Sequence, residues 1–235
     1  MANNNFALIG NLYKIIRNPK FTELIKLLEP LRDQEKISLI HLLKSPNFRL
    51  DENFIRFVQD EYELPCPSTI KNSVLKRNGS EGATWIETGT YLGETTLYLA
   101  KDAKRVITIE PSKELFESAK ERFKNYENIQ IFNGLSEDLL DGILSAVDGG
   151  NICFWLDGHF SFGNTFKGPK DTPILEELET IKKYLSKFDE LTVFIDDVRS
   201  FQKDSGYPPL DHLVEWARAN NLRWHIEYDI FVAKK

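Results

Sequence analysis

From residue 68 onward, short apolar and β-branched runs alternate with amphipathic segments, and this alternation is the strongest constraint on the fold. The apolar runs predict strands at residues 83–87, 105–110, 129–133, 151–157 and 191–195,. The amphipathic segments predict helices at residues 69–77, 94–101, 113–125, 137–147, 172–188 and 210–219,. Repeated strand–helix units form a parallel sheet with right-handed crossovers and with helices on both faces.

The same pattern predicts how the sheet is buried and how it closes. Residues 151–157 form an almost wholly apolar run, as expected of a central parallel strand that is buried on both faces,. The helix predicted at residues 172–188 has one apolar side, formed by Ile174, Leu175, Leu178, Ile181 and Leu185,. Two last strands, at residues 222–228 and 230–233, turn through Asp229 as a hairpin. The predicted fold is α/β, with seven mostly parallel strands and an antiparallel C-terminal hairpin.

Residues 5–62 show a different pattern, with apolar residues at helical spacing and no alternation with strands,. Breaks near Pro19, Pro30 and Pro46 predict three or four short helices,. The sequence LPCP at residues 64–67 cannot continue a helix, because proline lacks the amide donor,. We therefore predict a helical region at residues 1–64 and a second domain at residues 65–235. The helical region could pack on that domain, roof its pocket or form a homodimer contact.

Composition limits the partners that we expect. The chain has 30 basic and 36 acidic residues, and its formal net charge of −6 argues against binding nucleic acid through bulk charge,. We therefore expect no nucleic-acid partner. The first residues lack a basic segment followed by a long apolar run, and no stretch of about 18 apolar residues occurs,. These features predict a cytoplasmic protein without a membrane partner.

The first predicted strand leads into TWIETGTYLGET at residues 84–95, where a glycine-containing turn opens a helix. Such a turn directs backbone N–H groups and the positive end of the helix dipole at an anionic group. A dinucleotide-binding turn needs glycine where this chain has Tyr91, because the backbone there approaches a pyrophosphate,. The turn favours a ligand with a small carboxylate, an amine and a ribose, such as S-adenosylmethionine. Alternatively, Gly89 and Gly93 serve only the turn geometry.

Two further strand ends bear on such a ligand. Glu110 ends the second strand, 23 residues after Glu87, and its carboxylate could accept hydrogen bonds from both ribose hydroxyls,. The alternatives are a solvated carboxylate or a cap for the next helix. After the third strand, Ser136 and Glu137 could border an adenine, or Ser136 could cap the helix that follows,. In a parallel sheet all these strand ends meet at one edge.

Three aspartates and a histidine follow the fourth and fifth strands. Asp157, Asp196 and Asp197 end what should be neighbouring strands, where carboxylate oxygens could hold Mg²⁺,. Aspartates in such places also often only solvate a turn. His159 follows Asp157 by two residues and is either a base for a substrate hydroxyl or a packed loop histidine,.

Taken together, these residues resemble the class I S-adenosylmethionine-dependent methyltransferases, which have a Rossmann-like fold. ETGTYLGET is similar to the first motif of metal-dependent O-methyltransferases of the catechol and caffeoyl-coenzyme A type. LDGHFS and DTPILEEL resemble a little-characterised bacterial methyltransferase family and, distantly, macrolide-sugar O-methyltransferases. The likeness covers residues 65–235 and does not cover the N-terminal helices.

The resemblance implies transfer of a methyl group from S-adenosylmethionine to a hydroxyl of a small molecule or sugar, with assistance from Mg²⁺. The predicted cofactor residues are Glu87, Gly89, Thr90, Tyr91, Gly93, Thr95, Glu110, Ser136, Glu137 and Asp157. The predicted metal ligands are Asp157, Asp196 and Asp197, and the predicted catalytic residues are Asp157 and His159. Phe160 replaces the lysine that serves as base in the catechol-type enzymes. The alternatives are a metal-independent N- or carboxyl-methyltransferase and a non-catalytic binding module.

Overall fold

The computed structural model describes residues 53, 56–57, 60, 63–158, 172–202 and 206–235, and the fold is given for these. The chain divides into two units between Ser73 and Val74, and all seven strands belong to the second unit. The helices predicted in residues 5–62 lie almost entirely outside the described residues. The domain boundary predicted between residues 64 and 65 stays a prediction.

Strands and helices alternate from Ser68 onward in the predicted order. The strands are β1 (Thr84–Thr88), β2 (Arg105–Glu110), β3 (Ile129–Asn133), β4 (Gly150–Leu156), β5 (Phe188–Ile195), β6 (Arg223–Glu227) and β7 (Ile230–Lys234). The helices are α1 (Ser68–Asn78), α2 (Glu94–Leu99), α3 (Lys113–Phe123), α4 (Ser136–Ala146), α5 (Ile174–Lys183) and α6 (Leu210–Ala219). Within the described ranges, no helix has the length and apolar character needed to cross a bilayer.

The seven strands form one sheet in the order β3-β2-β1-β4-β5-β7-β6. Strands β1 to β5 run parallel, and β7 pairs antiparallel with both β5 and β6. The strand order reverses between β1 and β4, whose last residues, Thr88 and Leu156, are paired. A reversal of this kind leaves a crevice beyond the carboxyl ends of the strands. The seven mostly parallel strands and the antiparallel C-terminal hairpin confirm the predicted fold class.

Apolar side chains cover both faces of the sheet. Ile86 and Phe154 belong to the cluster shared with α4, α5 and α6. Trp85 and Trp155, one residue away on the same strands, belong to the cluster shared with α1 and α2. This arrangement follows from the alternation of side chains along a strand. Because β4 contributes to both clusters, its nearly continuous apolar sequence is explained.

The helix predicted at residues 172–188 is shorter than expected, and its buried face includes the predicted Ile174, Leu178 and Ile181 but not Leu175. The last residues of that segment form a 3-10 turn and the first residue of β5. Leu175, which was predicted on the apolar side, is 39% exposed. Glu177 is only 1% exposed, although it is charged in water. The buried face follows the helical period and not hydrophobic character, through Ile174, Glu177, Leu178, Thr180 and Ile181.

Candidate cofactor site

The turn after β1, Gly89–Gly93 (the β1 turn), is fixed to β2 by its own backbone. Its first two N–H groups donate to the carbonyl oxygen of Ile109 at 3.0 and 3.2 Å. Its third, that of Tyr91, donates to Glu110 Oε2 at 2.8 Å. These three N–H groups are therefore not free for a ligand, because the protein itself uses them. The role of the turn in binding a ligand stays a prediction.

The two glycines of the β1 turn are required for different contacts. Gly89 has φ +87°, and a Cβ built on it would lie 2.6 Å from the carbonyl oxygen of Asp157. Gly93 has φ +76°, and a Cβ built there would overlap the ring of Phe123. Gly89 thus allows the ends of β1 and β4 to approach, whereas Gly93 allows α3 to pack on the turn. Both glycines have structural reasons, so they do not indicate a ligand by themselves.

Glu110, at the end of β2, is 3% exposed. Its Oε2 accepts the N–H of Tyr91 at 2.8 Å, and its Oε1 accepts the N–H of Ser112 at 2.9 Å. Burial raises the pKa of this carboxyl, and the two hydrogen bonds oppose that shift. Both alternatives considered from the sequence are wrong, because Glu110 is not solvated and because Ser112 caps α3. A carboxylate oxygen has two lone pairs, so each oxygen can accept one more hydrogen bond.

Glu87 lies one residue before the end of β1 and is 1% exposed. Thr96 of α2 donates to its Oε2 at 2.5 Å. Burial raises the pKa of Glu87 to about 7, although hydrogen bonds from Thr96 and Thr108 act in the opposite direction. Oε1 of Glu87 has no hydrogen-bond partner in the described part of the chain. Beside it, the hydroxyls of Thr90 and Thr108 share a hydrogen bond of 2.6 Å. This buried polar group holds the β1 turn on the sheet.

Tyr91 and Thr95 are the more accessible members of the predicted cofactor set on this turn and helix. Tyr91 has φ +48°, in the left-handed region, and its side chain is 51% exposed. Thr95 is half-buried in the first turn of α2. Their exposure leaves both side chains accessible to a ligand, and their role in binding stays a prediction.

The start of α4 brings Ser136 and Glu137 to the same edge of the sheet. Ser136 is buried and Glu137 is half-buried. The cap residue of α4 is Leu135, and no side chain caps this helix. The alternative that Ser136 is the helix cap is therefore wrong. Their predicted place beside an adenine stays a prediction.

A further buried carboxyl, which was not among the predicted site residues, lies on α5. Glu177 is 1% exposed, and burial raises its pKa to about 7. The hydroxyls of Ser136 and Thr88 favour the charged carboxylate and oppose that shift. A signal was present in DTPILEEL, because Glu177 falls one helical turn after Ile174 and one before Ile181,. A carboxyl at that position of an apolar stripe is unusual enough to indicate a special environment.

The predicted metal ligands follow β4 and β5. The N–H of Asp157 donates to the carbonyl oxygen of Thr88 at 3.1 Å, and that of Asp196 donates to the carbonyl oxygen of Leu156 at 3.1 Å. Asp157 is half-buried, whereas Asp196 is 2% exposed. These backbone contacts place both residues at the carboxyl edge of the sheet, as predicted.

Asp197 belongs to an ion-pair cluster. It has φ +56°, and its Oδ1 accepts a hydrogen bond from Arg199 Nη1 at 2.7 Å. The same Nη1 also donates to Asp229, in the turn between β6 and β7. Asp229 Oδ1 accepts the backbone N–H of Arg199 at 3.0 Å. We call Asp197, Arg199 and Asp229 the arginine clamp. It joins the loop after β5 to the β6–β7 turn.

The aspartates do not fit a metal centre. Among the residues that the structure describes, no group of three His, Cys, Asp or Glu side chains could hold a metal ion. The carboxylate of Asp197 is already paired with the guanidinium of Arg199, which it shares with Asp229. The prediction of a Mg²⁺ site formed by Asp157, Asp196 and Asp197 is therefore not supported. His159, the predicted base, and Phe160 lie outside the described residues.

Comparison with known proteins gives one sequence relative. No protein-family model matches the chain. The ribosomal RNA small subunit methyltransferase A of Caldanaerobacter subterraneus subsp. tengcongensis is 35% identical over 112 residues. The match covers 47% of this chain and 37% of the relative, so the chain spans little more than a third of that protein.

Two solved structures are similar to this chain. A proposed rRNA methylase from Clostridium thermocellum superposes with a TM-score of 0.50 at 10% identity, covering 73% of this chain and 97% of the other. The fold is that of class I S-adenosylmethionine-dependent methyltransferases. A proposed methyltransferase from Streptococcus mutans, in complex with SAH, has a TM-score of 0.47 at 15% identity, covering 73% and 98% of the two chains.

The predicted partners need correction. A small hydroxyl-bearing acceptor and the absence of a nucleic-acid partner were expected, whereas the sequence relative is a ribosomal RNA methyltransferase. A net charge of −6 averages over the whole chain and says little about local contacts, so it does not exclude a nucleic-acid partner,. The narrower resemblance to catechol-type, caffeoyl-coenzyme A-type and macrolide-sugar O-methyltransferases is not supported either.

Proposed function

We propose that this chain is an S-adenosylmethionine-dependent methyltransferase. The observation that carries the proposal is Glu110, a buried carboxylate at the end of β2 beside the reversal point of the sheet. A carboxylate in this place suits the two hydroxyls of a ribose. Backbone N–H groups already hold both of its oxygens, so little ordering is required when a ligand binds,.

In this proposal the cofactor lies across the carboxyl ends of β1, β2 and β4. Glu110 binds the ribose, and Ser136 and Glu137 border the adenine. The methionine part is surrounded by residues of β1, its turn and α2, with Asp157 opposite: Glu87, Gly89, Thr90, Tyr91, Gly93 and Thr95. When bound, S-adenosylmethionine supplies an activated methyl group. The contribution of the chain is to orient this donor toward the acceptor and to limit the access of water.

We propose RNA as the acceptor. The support is the relative of 35% identity, which is named for small-subunit ribosomal RNA. Transfer to an oxygen, which the sequence predicts, and transfer to a base nitrogen give different methylated nucleosides. We derive no metal-assisted step, because the aspartates do not form a metal centre among the described residues.

The first test is cofactor binding, measured by calorimetry with S-adenosylmethionine. Wild-type protein should bind, and Glu110→Ala should weaken binding at least tenfold, since hydrogen bonds to a charged group contribute about 1.5–3 kcal/mol each. Glu114→Ala, at an exposed position of α3, is the matched control and should bind like the wild type. Absence of binding by the wild type, or equal binding by the Glu110 variant, would contradict the proposal.

The second test is methyl transfer. Full-length protein is incubated with tritiated S-adenosylmethionine and small-subunit ribosomal RNA, and the RNA is digested to nucleosides and separated. The proposal expects labelled nucleosides, whose identity assigns the attacked atom. If the protein binds the cofactor but the RNA remains unlabelled, the proposal that RNA is the acceptor is contradicted, whereas the proposed cofactor site is not.

A further inference from the structure

Glu177 has no role in the proposed function, yet its carboxyl lies beside the end of β1 and the first residues after β4. A Cβ built on Gly158 would lie 3.3 Å from Thr88 Oγ1 and 3.6 Å from Glu177 Oε1. By distance and angle neither oxygen has a hydrogen-bond partner in the described part of the chain, although the Thr88 hydroxyl lies close enough to favour the charged form of Glu177. A fully buried carboxyl and a fully buried hydroxyl therefore converge on the backbone of Gly158.

Gly158 is connected to the rest of the site through short contacts. The N–H of its neighbour Asp157 donates to the carbonyl oxygen of Thr88 at 3.1 Å. The carbonyl oxygen of Asp157 touches Gly89, where a Cβ would come within 2.6 Å. The end of β1, the β1 turn and the first residues after β4 thus form one continuous contact, and Glu177 Oε1 lies near it at Gly158.

Stability alone does not account for a carboxyl in this place. Leaving a buried polar atom without a partner costs on the order of 1–3 kcal/mol. The neighbours of Glu177 on the buried face of α5 include Ile174, Leu178 and Ile181. An apolar residue would pack on that face without this cost. The presence of a carboxyl there therefore suggests a role in the neighbouring candidate cofactor site.

We infer that Glu177 is a positioning residue of the cofactor site. Its carboxyl fixes Gly158 against Thr88, and through Asp157 and Gly89 it sets the width of the crevice between β1 and β4. The inference rests on the proposed function, because this crevice is the one assigned to S-adenosylmethionine. Glu177 acts through the backbone that it supports and does not contact the cofactor.

The experiment compares Glu177→Leu with Glu177→Gln in the full chain, by calorimetry with S-adenosylmethionine and S-adenosylhomocysteine well below the unfolding temperature. Leucine should weaken both ligands about tenfold, as expected when one buried hydrogen-bonding group is lost. Glutamine keeps the size and an acceptor oxygen, so it should restore most of the affinity. Glu179→Gln, exposed on the same helix, is the matched control and should change nothing.

A second variant tests the same contact from the other side. Gly158→Ala places a methyl group against Thr88 Oγ1 and Glu177 Oε1, and it should weaken both ligands without unfolding the chain. This variant keeps the inference testable if Glu177→Leu does not fold.

The outcomes separate this inference from the proposed function. Equal loss of both ligands, with rescue by glutamine, supports the positioning role. Wild-type affinity in Gly158→Ala and in the Glu177 variants that fold would overturn the inference alone. Loss confined to the positively charged S-adenosylmethionine would also overturn it, because it would indicate a direct charge effect. Absence of binding by the wild type would overturn both.

Discussion

The two halves of the candidate site, one at β1 and β2 and the other at β4 and β5, are organised by contacts of different range. In the first half, the β1 turn is fixed by the carbonyl of Ile109 and the carboxylate of Glu110, at the neighbouring strand end. In the second half, Asp197 is fixed by Arg199, which is itself held by Asp229 from the C-terminal hairpin.

This difference explains which acids are available to a ligand. Glu110 accepts hydrogen bonds from backbone N–H groups, which carry no net charge, so its negative charge remains for a ligand. Asp197 shares the guanidinium of Arg199 with Asp229, so its charge is partly balanced within the protein. Acids at equivalent strand ends can therefore differ in whether they are available to a ligand. This depends on their hydrogen-bond and ion-pair partners, which cannot be recognised from the local sequence.

Gly89 joins the two halves, and its substitution should have the largest effect. Gly89→Ala should lower the free energy of unfolding by about 4 kcal/mol, since a left-handed backbone costs alanine about 1 kcal/mol and displacing β4 costs a few more. The urea unfolding transition measures this loss. Gly82→Ala is the control, because φ is +64° there and a Cβ would meet nothing within 4 Å. Similar losses in the two variants would show that the contact with Asp157 does not matter.

The sequence predicts the first half well because its determinants are local. A strand, a glycine turn and a helix follow one another in TWIETGTYLGET,. Glu110 ends a second strand, which is predicted from its β-branched residues,. The second half depends on residues distant in the chain. Arg199 and Asp229 are 30 residues apart, and no local pattern predicts that they meet at Asp197.

Glu177 is a third case, in which the local sequence gave two conflicting indications about whether the side chain is buried. The helical period placed it among the buried residues of α5, and its charge argued for the surface. The residue is buried as the helical period predicts, and it has the hydroxyls of Thr88 and Ser136 and the backbone of Gly158 as neighbours. Only the assembled sheet shows those neighbours.

The next largest effect concerns pH, and it compares Glu87 on one face of the sheet with Glu177 on the other. Burial raises both pKa values to about 7 from a usual 4.5, so the folded chain binds more protons than the unfolded chain between these values. The contribution of these two carboxyls to stability is then fully present below pH 4.5 and is lost as the pH rises through 7,. The loss is about 3 kcal/mol for each carboxyl.

Urea unfolding between about pH 5 and 8 measures this dependence. Glu87→Gln and Glu177→Gln should each flatten the curve, because each removes one buried acid. Glu117→Gln, at an exposed position of α3, is the control and should leave the slope unchanged. A slope that neither buried variant alters would show that these carboxyls do not set the pH dependence.

The smallest of these effects tests the arginine clamp. Asp229→Ala should lower the free energy of unfolding by about 2 kcal/mol, since the variant loses charge-assisted hydrogen bonds to Arg199 in a buried setting. Glu179→Ala removes an exposed ion pair with Lys182 and should cost about 0.5 kcal/mol or less,. The Asp229 side chain is fully buried, whereas Glu179 is 65% exposed, so burial accounts for the expected difference. Equal losses, measured by urea unfolding, would mean that the clamp is no more than a surface ion pair. In that case Asp197 would not be committed to Arg199, and the contrast between the two halves of the site would no longer hold.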